Sequence, residues 1–278
     1  MGKLEKFKSL RLMKADAAAD IKLINQYSIK ELTPEDVYCF SVILCDNDVD
    51  RDLERFTDKT LEGLALLFVG KTGISDHRWS SDRQIARLYR VEVEETTEKN
   101  ALEEPLKLLR GSAYMLKNEN TQPMIDAIEG GIVKEVSIGC SIGRQVCSIC
   151  GEPFELNWRT WEYECKNGHS KGNTYDGVQC VCNLEDPVDA YEFSFVAVPA
   201  QKNAGVTKSE REIDDAFAML MEADLSKHGD KLKALLPRIR SALANVADRE
   251  ARAKILKENE KYLKSIGKDE GDNETDFV

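Results

Sequence analysis

An α+β fold is the class this 278-residue sequence predicts, and three observations carry that expectation. Short runs of β-branched and aromatic residues recur between turn signals, a few amphipathic helical stretches separate them, and the last quarter is helical in pattern throughout. The texture changes divide the chain into a charged leader over 1–37, a main domain over 38–207 with an insertion at about 144–183, and a helical, acidic-ended tail over 208–278.

The elements follow in order. Tyr38 to Cys45 (YCFSVILC) predicts a buried strand, and the acidic run Asp46-Asn47-Asp48-Val49-Asp50-Arg51 predicts its exit turn. Thr57 to Phe68 has apolar residues at helical spacing and stops at Gly70. Ile85 to Glu95 alternates, placing Ile85, Arg87, Tyr89, Val91 and Val93 on one face of a strand, and another strand is expected near Leu109 to Leu116. Thr121 and Pro123 begin a helix with Met124, Ile125 and Ile128 as its apolar stripe, ended by Gly130-Gly131. Val133 to Gly143 then reads as a strand with Val136, Ile138, Cys140 and Ile142 on its core face, and Ser137, Gly139, Ser141 and Gly143 on the other. In the tail, Ser209 and Glu212 form a capping box, helices are expected to about Met221, over Lys231 to Val246 and over Asp248 to Ile266, and Lys268 to Val278 reads as acidic and disordered.

Composition narrows the function. No run of about 18 apolar residues occurs, and Met1-Gly2-Lys3-Leu4-Glu5-Lys6 lacks the apolar stretch of a secretory signal, so a soluble protein in a reducing cytoplasm is expected. A net charge of −11 argues against a nucleic-acid partner, whose phosphates call for clustered Lys and Arg.

Three residues form a hydrolytic constellation. Ser137 lies in Val136-Ser137-Ile138-Gly139, with its neighbours on that face nearly bare, an arrangement that lets a substrate backbone approach. Of the three histidines, His169 has a metal-site use and His228 lies in a charged helical stretch, leaving His77 in Asp76-His77-Arg78 as the candidate base. Glu192, ahead of Phe193-Ser194-Phe195, is the candidate acid that orients the imidazole, with Asp189 and Asp186 as rivals. Ser141 repeats the Ser-Ile-Gly triplet and is the rival nucleophile.

Six of the eight cysteines fall between Cys140 and Cys182. Cys147, Cys150, Cys165 and His169 make C-x2-C-x14-C-x3-H, a spacing suited to tetrahedral Zn²⁺ held by two knuckles, with Cys180 or Cys182 as a substitute ligand. Gly151 and Gly168 stand where a knuckle turn favours positive φ, and Trp158, Trp161 and Tyr163 are expected to form a small strand packed on the site. Four protein ligands leave no open coordination position, so the zinc is structural.

The ordered segments Asp76-His77, Glu135-Val136-Ser137-Ile138-Gly139 and Glu192-Phe193-Ser194-Phe195-Val196-Ala197-Val198-Pro199-Ala200 resemble those of the tailed-phage prohead proteases, the capsid maturation family related in fold to herpesvirus assemblin. The resemblance covers roughly residues 38–207 and implies a small closed antiparallel β-barrel ringed by helices. It implies serine endopeptidase activity with Ser137 as nucleophile and His77 as base, and it matches Glu192 as the third member. By the same resemblance the substrates are scaffold and major capsid proteins and the chain itself, the setting is the assembling prohead in a bacterial host cytoplasm, self-association is expected, and no membrane partner is expected. The herpesvirus relatives use a second His and a pair of arginines that this chain does not match, which leaves the oxyanion donors open, with backbone N–H groups near Gly139 or in the 199–204 loop as candidates. The rival class is a non-enzymatic capsid-assembly or scaffold protein with a zinc-stabilised binding module.

Overall fold

In a computed structural model, residues 20–158 and 161–207 are described, together with positions 237, 239, 249–261 and 264. The chain divides into a unit of residues 10–207 and a second made of 1–9 and 208–278. In chain order the first unit contains β1 (Val37–Asp46), β2 (Glu54–Phe56), α1 (Asp58–Phe68), β3 (Thr72–Ser75), β4 (Ala86–Lys99), β5 (Pro105–Leu116), α2 (Gln122–Glu129) and β6 (Val136–Cys147). Two small hairpins follow, β7 (Phe154–Asn157) with β8 (Glu162–Cys165) and β9 (Thr174–Tyr175) with β10 (Val178–Gln179), and then β11 (Cys182–Phe195) and β12 (Gly205–Thr207).

Among the described residues, eight strands make one mixed, mostly antiparallel sheet in the order β12-β1-β5-β4-β3-β11-β2, with β6 also paired to β11. The closed barrel ringed by helices is therefore a wrong expectation. The described residues form an open α/β sheet accompanied by α1 and α2, with a short helical turn at 20–24 before β1. A closed barrel needs a continuous ladder at its seam. Here β12 is three residues long, and its link to the chain entering β6 is the isolated bridge Glu135–Gly205.

The core gathers on one face. Val42, Leu44, Leu61, Leu64, Phe68, Leu88, Leu109, Met115 and Phe193 are fully buried there, and Val136 joins them with Ile138, Cys140 and Ile142 packed alongside. The apolar face expected of the Ser137 strand is thus the core face. Thr57 caps α1 by accepting a hydrogen bond from the Thr60 N–H, and Leu61, Leu64 and Phe68 recur at helical spacing to bury that helix. Gly63 lets α1 sit close to β11, since a Cβ there would lie 2.5 Å from Cγ of Pro187.

The face of β4 departs from simple alternation. An irregularity between Leu88 and Arg90 shifts the phase, so Ala86 and Leu88 enter the main core with Val91 and Val93 packed against it, while Tyr89 joins Ile24, Leu32, Val37 and Tyr114 in a second cluster. Ile24 and Leu32 come from the predicted leader, whose described residues from Asp20 onward pack against the sheet and tie to it through Asp20 and Arg90. In the second unit, α3 (Arg249–Glu258) falls inside the third predicted tail helix, whereas the first helix, most of the second and the acidic end lie outside the described residues.

Candidate functional site

Three neighbouring strands carry the candidate residues. β11 runs between β3, parallel to it with Glu192 opposite Thr72 and Phe195 opposite Ser75, and β6, antiparallel with Glu192 opposite Gly139 and Ser194 opposite Ser137. Directly opposed residues of an antiparallel pair share a face with Cβ atoms about 4.5–5.5 Å apart. Ser137, Gly139, Glu192 and Ser194 therefore lie on one face, turned away from Phe193 and Val136.

His77 enters this face from the end of β3. The turn after Ser75 holds Asp76 and His77 in consecutive left-handed conformations, with φ of 54° and 52°, a sparsely populated region for residues with a Cβ. Two hydrogen bonds hold the turn against β11: Asp76 N–H donates to the Phe195 carbonyl at 3.0 Å, and His77 N–H donates to Ser194 Oγ at 3.0 Å. The imidazole Nδ1 then lies 2.8 Å from Glu192 Oε1, and Ser194 Oγ donates to Glu192 Oε2 at 2.6 Å. Glu192 is 2% exposed, whereas the His77 side chain is 43% exposed and accessible.

Each sequence-derived candidate has a definite place. Of the three carboxylates, Glu192 is the one at the imidazole; Asp189 is taken by Lys71 at 3.3 Å, and Asp186 pairs with Arg144 at 3.7 Å. Ser137 lies across from Ser194, the residue to which the His77 amide bonds, and among the described residues its hydroxyl makes no hydrogen bond. Ser141 lies across from Asp189, about 13 Å further along the strand at 3.3 Å per residue.

One contributor, Ser194, has no motif to mark it in the sequence, and a second, Gly139, takes a different part from the one its pattern suggests. Ser194 carries the His77 turn and one Glu192 oxygen, and its only sequence signal was alternation with Glu192. The bare face at Gly139 makes room for Glu192 rather than for a substrate backbone, because a Cβ at Gly139 would lie 2.5 Å from Oε1.

Of the suggested oxyanion donors, the 199–204 loop is anchored to the chain leaving β1, with Arg51 donating to the Pro199 carbonyl and Asn203 to Asp46. From Ser137 to Gln145 the edge of β6 away from β11 is unpaired among the described residues, so it offers free backbone N–H groups.

The insertion between β6 and β11 gathers the second cluster. Cys147, Cys150, Cys165 and His169 bring their ligand atoms within 4.8 Å of one another, an arrangement able to hold a metal ion. Cys150 and Cys165 sulfurs are 3.6 Å apart, and His169 Nδ1 lies 3.6 Å from Cys147 Sγ and 3.5 Å from Cys165 Sγ. A tetrahedral ion with the usual Zn–S and Zn–N bond lengths sets S–S edges of about 3.8 Å and S–N edges of about 3.6 Å. The spacing fits.

Both knuckle glycines have positive φ, 72° at Gly151 and 75° at Gly168, with N–H bonds back to the Cys147 and Cys165 carbonyls at 2.8 Å. Hydrogen bonds from the Glu152 backbone and then from Asn167 lower the Cys150 thiol to about 6, favouring the thiolate that a metal requires. Cys180 abuts the cluster, with its sulfur 3.5 Å from that of Cys147, while Cys182 lies on β11 opposite Cys147.

The aromatic packing differs from expectation. Trp158 and Trp161 form an exposed edge-to-face pair at the β7–β8 turn, so Tyr163 alone of the three lies within a strand. Ile149, Phe154 and Tyr175 pack on the cysteines instead, the Tyr175 ring meeting His169 at 4.5 Å.

No family model matches this chain, and no curated protein matches it. The likeness to prohead proteases therefore rests on its three short motifs. No helix among the described residues is long and apolar enough to cross a membrane.

Proposed function

We propose that this chain is a serine endopeptidase with Ser137 as nucleophile, His77 as general base and Glu192 as the orienting acid. The observation that carries the reading is the 2.8 Å contact of His77 Nδ1 with the buried Glu192 carboxylate, beside a strand that holds Ser137 opposite Ser194. With its Nδ1–H donated to Glu192, the imidazole keeps the Nε2 lone pair for the Ser137 hydroxyl. His77 takes the proton as Ser137 Oγ attacks a peptide carbonyl carbon, and backbone N–H groups beside Ser137 receive the oxyanion. Collapse breaks the C–N bond, and the leaving amine takes the proton from His77. Water, deprotonated by His77, then cleaves the acyl ester to release the carboxyl product and restore Ser137.

In this reading Zn²⁺ occupies the Cys147, Cys150, Cys165 and His169 site as a structural ion, since its four positions are filled by protein. The resemblance of three short motifs to those of prohead proteases supports a role in phage capsid maturation, acting on scaffold and capsid proteins and on the chain itself. The test is treatment with a fluorophosphonate probe, followed by co-expression with candidate scaffold and capsid proteins read by intact mass. An adduct on Ser137, together with cleavage that Ser137→Ala abolishes, is the expected result. Absence of both moves the zinc-stabilised assembly module ahead, a reading favoured by the exposed Trp158–Trp161 pair.

A further inference from the structure

The surface around His77 carries an unexplained feature. Trp79, two residues past the candidate base, packs its ring against that of Tyr191, the residue before Glu192, with centroids 5.4 Å apart and planes at 56°. Tyr191 reaches this position because the β6–β11 register shifts between Ala190 and Glu192, leaving it with no residue opposite, and such bulges re-aim side chains next to functional sites.

We propose that Trp79 and Tyr191 form the recognition wall of the His77 site, selecting a substrate with an apolar side chain close to the bond that is cut. The inference rests on the endopeptidase reading and names what that site prefers. Trp79 is 71% exposed and Tyr191 40%, so neither ring has its apolar surface satisfied by the core. Among the described residues neither the Trp79 indole N–H nor the Tyr191 hydroxyl has a hydrogen-bond partner in the chain, so the pair presents ring area rather than a fixed polar contact. Each aromatic ring can bury about 150–250 Å². A peptide reaching the exposed imidazole meets this wall, because Tyr191 directly precedes Glu192 and Trp79 lies two residues past His77 in the chain. A cationic side chain also stacks on indole, but Arg78, exposed and adjacent to Trp79 in the chain, disfavours one by like-charge repulsion.

The experiment cleaves a randomised peptide library with wild type, Trp79→Ala and Trp79→Phe, reading products by mass spectrometry, with fluorophosphonate labelling of the wild type alongside. Wild type is expected to enrich Leu, Ile, Met or Phe at one fixed position by about tenfold or more, the scale of discrimination by an apolar pocket. Trp79→Ala should bring that enrichment close to one, and Trp79→Phe should restore most of it. A Ser137 adduct in a protein that shows no apolar preference, prefers Lys or Arg, or keeps its apolar preference in Trp79→Ala overturns this inference alone. No adduct and no cleavage in wild type overturns the endopeptidase reading beneath it.

Discussion

A carboxylate enclosed to 2% exposure costs several kcal/mol to desolvate unless its oxygens are hydrogen-bonded, and both oxygens of Glu192 are engaged, one by His77 and one by Ser194. In the proposed mechanism, replacing that carboxylate removes the charge that would favour the imidazolium formed during proton transfer. Glu192→Gln should lower kcat by about 10²–10⁴-fold, as loss of a triad acid does, with Ser137 still present; a stopped assay on a cleaved peptide checks it. Gly139→Ala drives a methyl group to 2.5 Å from Glu192 Oε1, in a position closed by the opposing strand. Overpacking of this kind costs about 1–3 kcal/mol. Urea denaturation should register that loss, and the displaced carboxylate should reduce activity as well.

At the scale of elements, the cysteine insertion joins the two strands that carry the site. β6 ends at Cys147 and β11 begins at Cys182 directly opposite it, so a metal held by Cys147, Cys150, Cys165 and His169 would tie the chain over 147–169 beside one end of the β6–β11 ladder. Register matters here, because a one-residue slip turns every side chain to the other face. Chelation should therefore lower the melting temperature and speed amide exchange in Arg144–Cys147 and Cys182–Glu185, as read by hydrogen-exchange mass spectrometry. Protons compete with the metal for thiolate ligands. With Cys150 lowered to about 6, chiefly by hydrogen bonding from the Glu152 backbone, acidification below that value protonates the thiolate and weakens binding. A colorimetric chelator should detect metal release as pH falls from 6 towards 4 and little release between pH 7 and 8.

Across the whole unit, the same open sheet buries one apolar face under α1 and leaves the other to the candidate site. Leu64→Ala empties a fully buried position and should cost about 2–5 kcal/mol in denaturant unfolding. Burial also raises the carboxyls of Asp46 and Asp50 where β1 leaves the sheet. Each binds its proton more tightly folded than unfolded, so its contribution to stability is present below the unfolded value of about 4 and is lost as pH rises through the raised folded value. Asp46→Asn should accordingly flatten the fall in stability between pH 4 and pH 7, whatever its effect on the absolute value.

Local chemistry was legible in the residues themselves. The C-x2-C-x14-C-x3-H spacing located the metal-capable cluster, since knuckle ligands lie close in sequence, and the apolar alternation from Val136 to Ile142 located the core face of β6. Long-range pairing was not legible, because hydrogen-bond partners across a sheet leave no periodic trace in either strand. Folding decided that the sheet stays open, that a bulge at Leu88 sends Tyr89 to a second cluster, and that Glu192 rather than Asp189 or Asp186 meets His77. It also gave Ser194 and Gly139 their parts, which depend on a strand distant in sequence lying opposite in the register Ser137–Ser194 and Gly139–Glu192. Residue order sets which side chains are present and which faces of their strands they share. Only the tertiary structure, through register and the left-handed turn at Asp76 and His77, decided which of them touch.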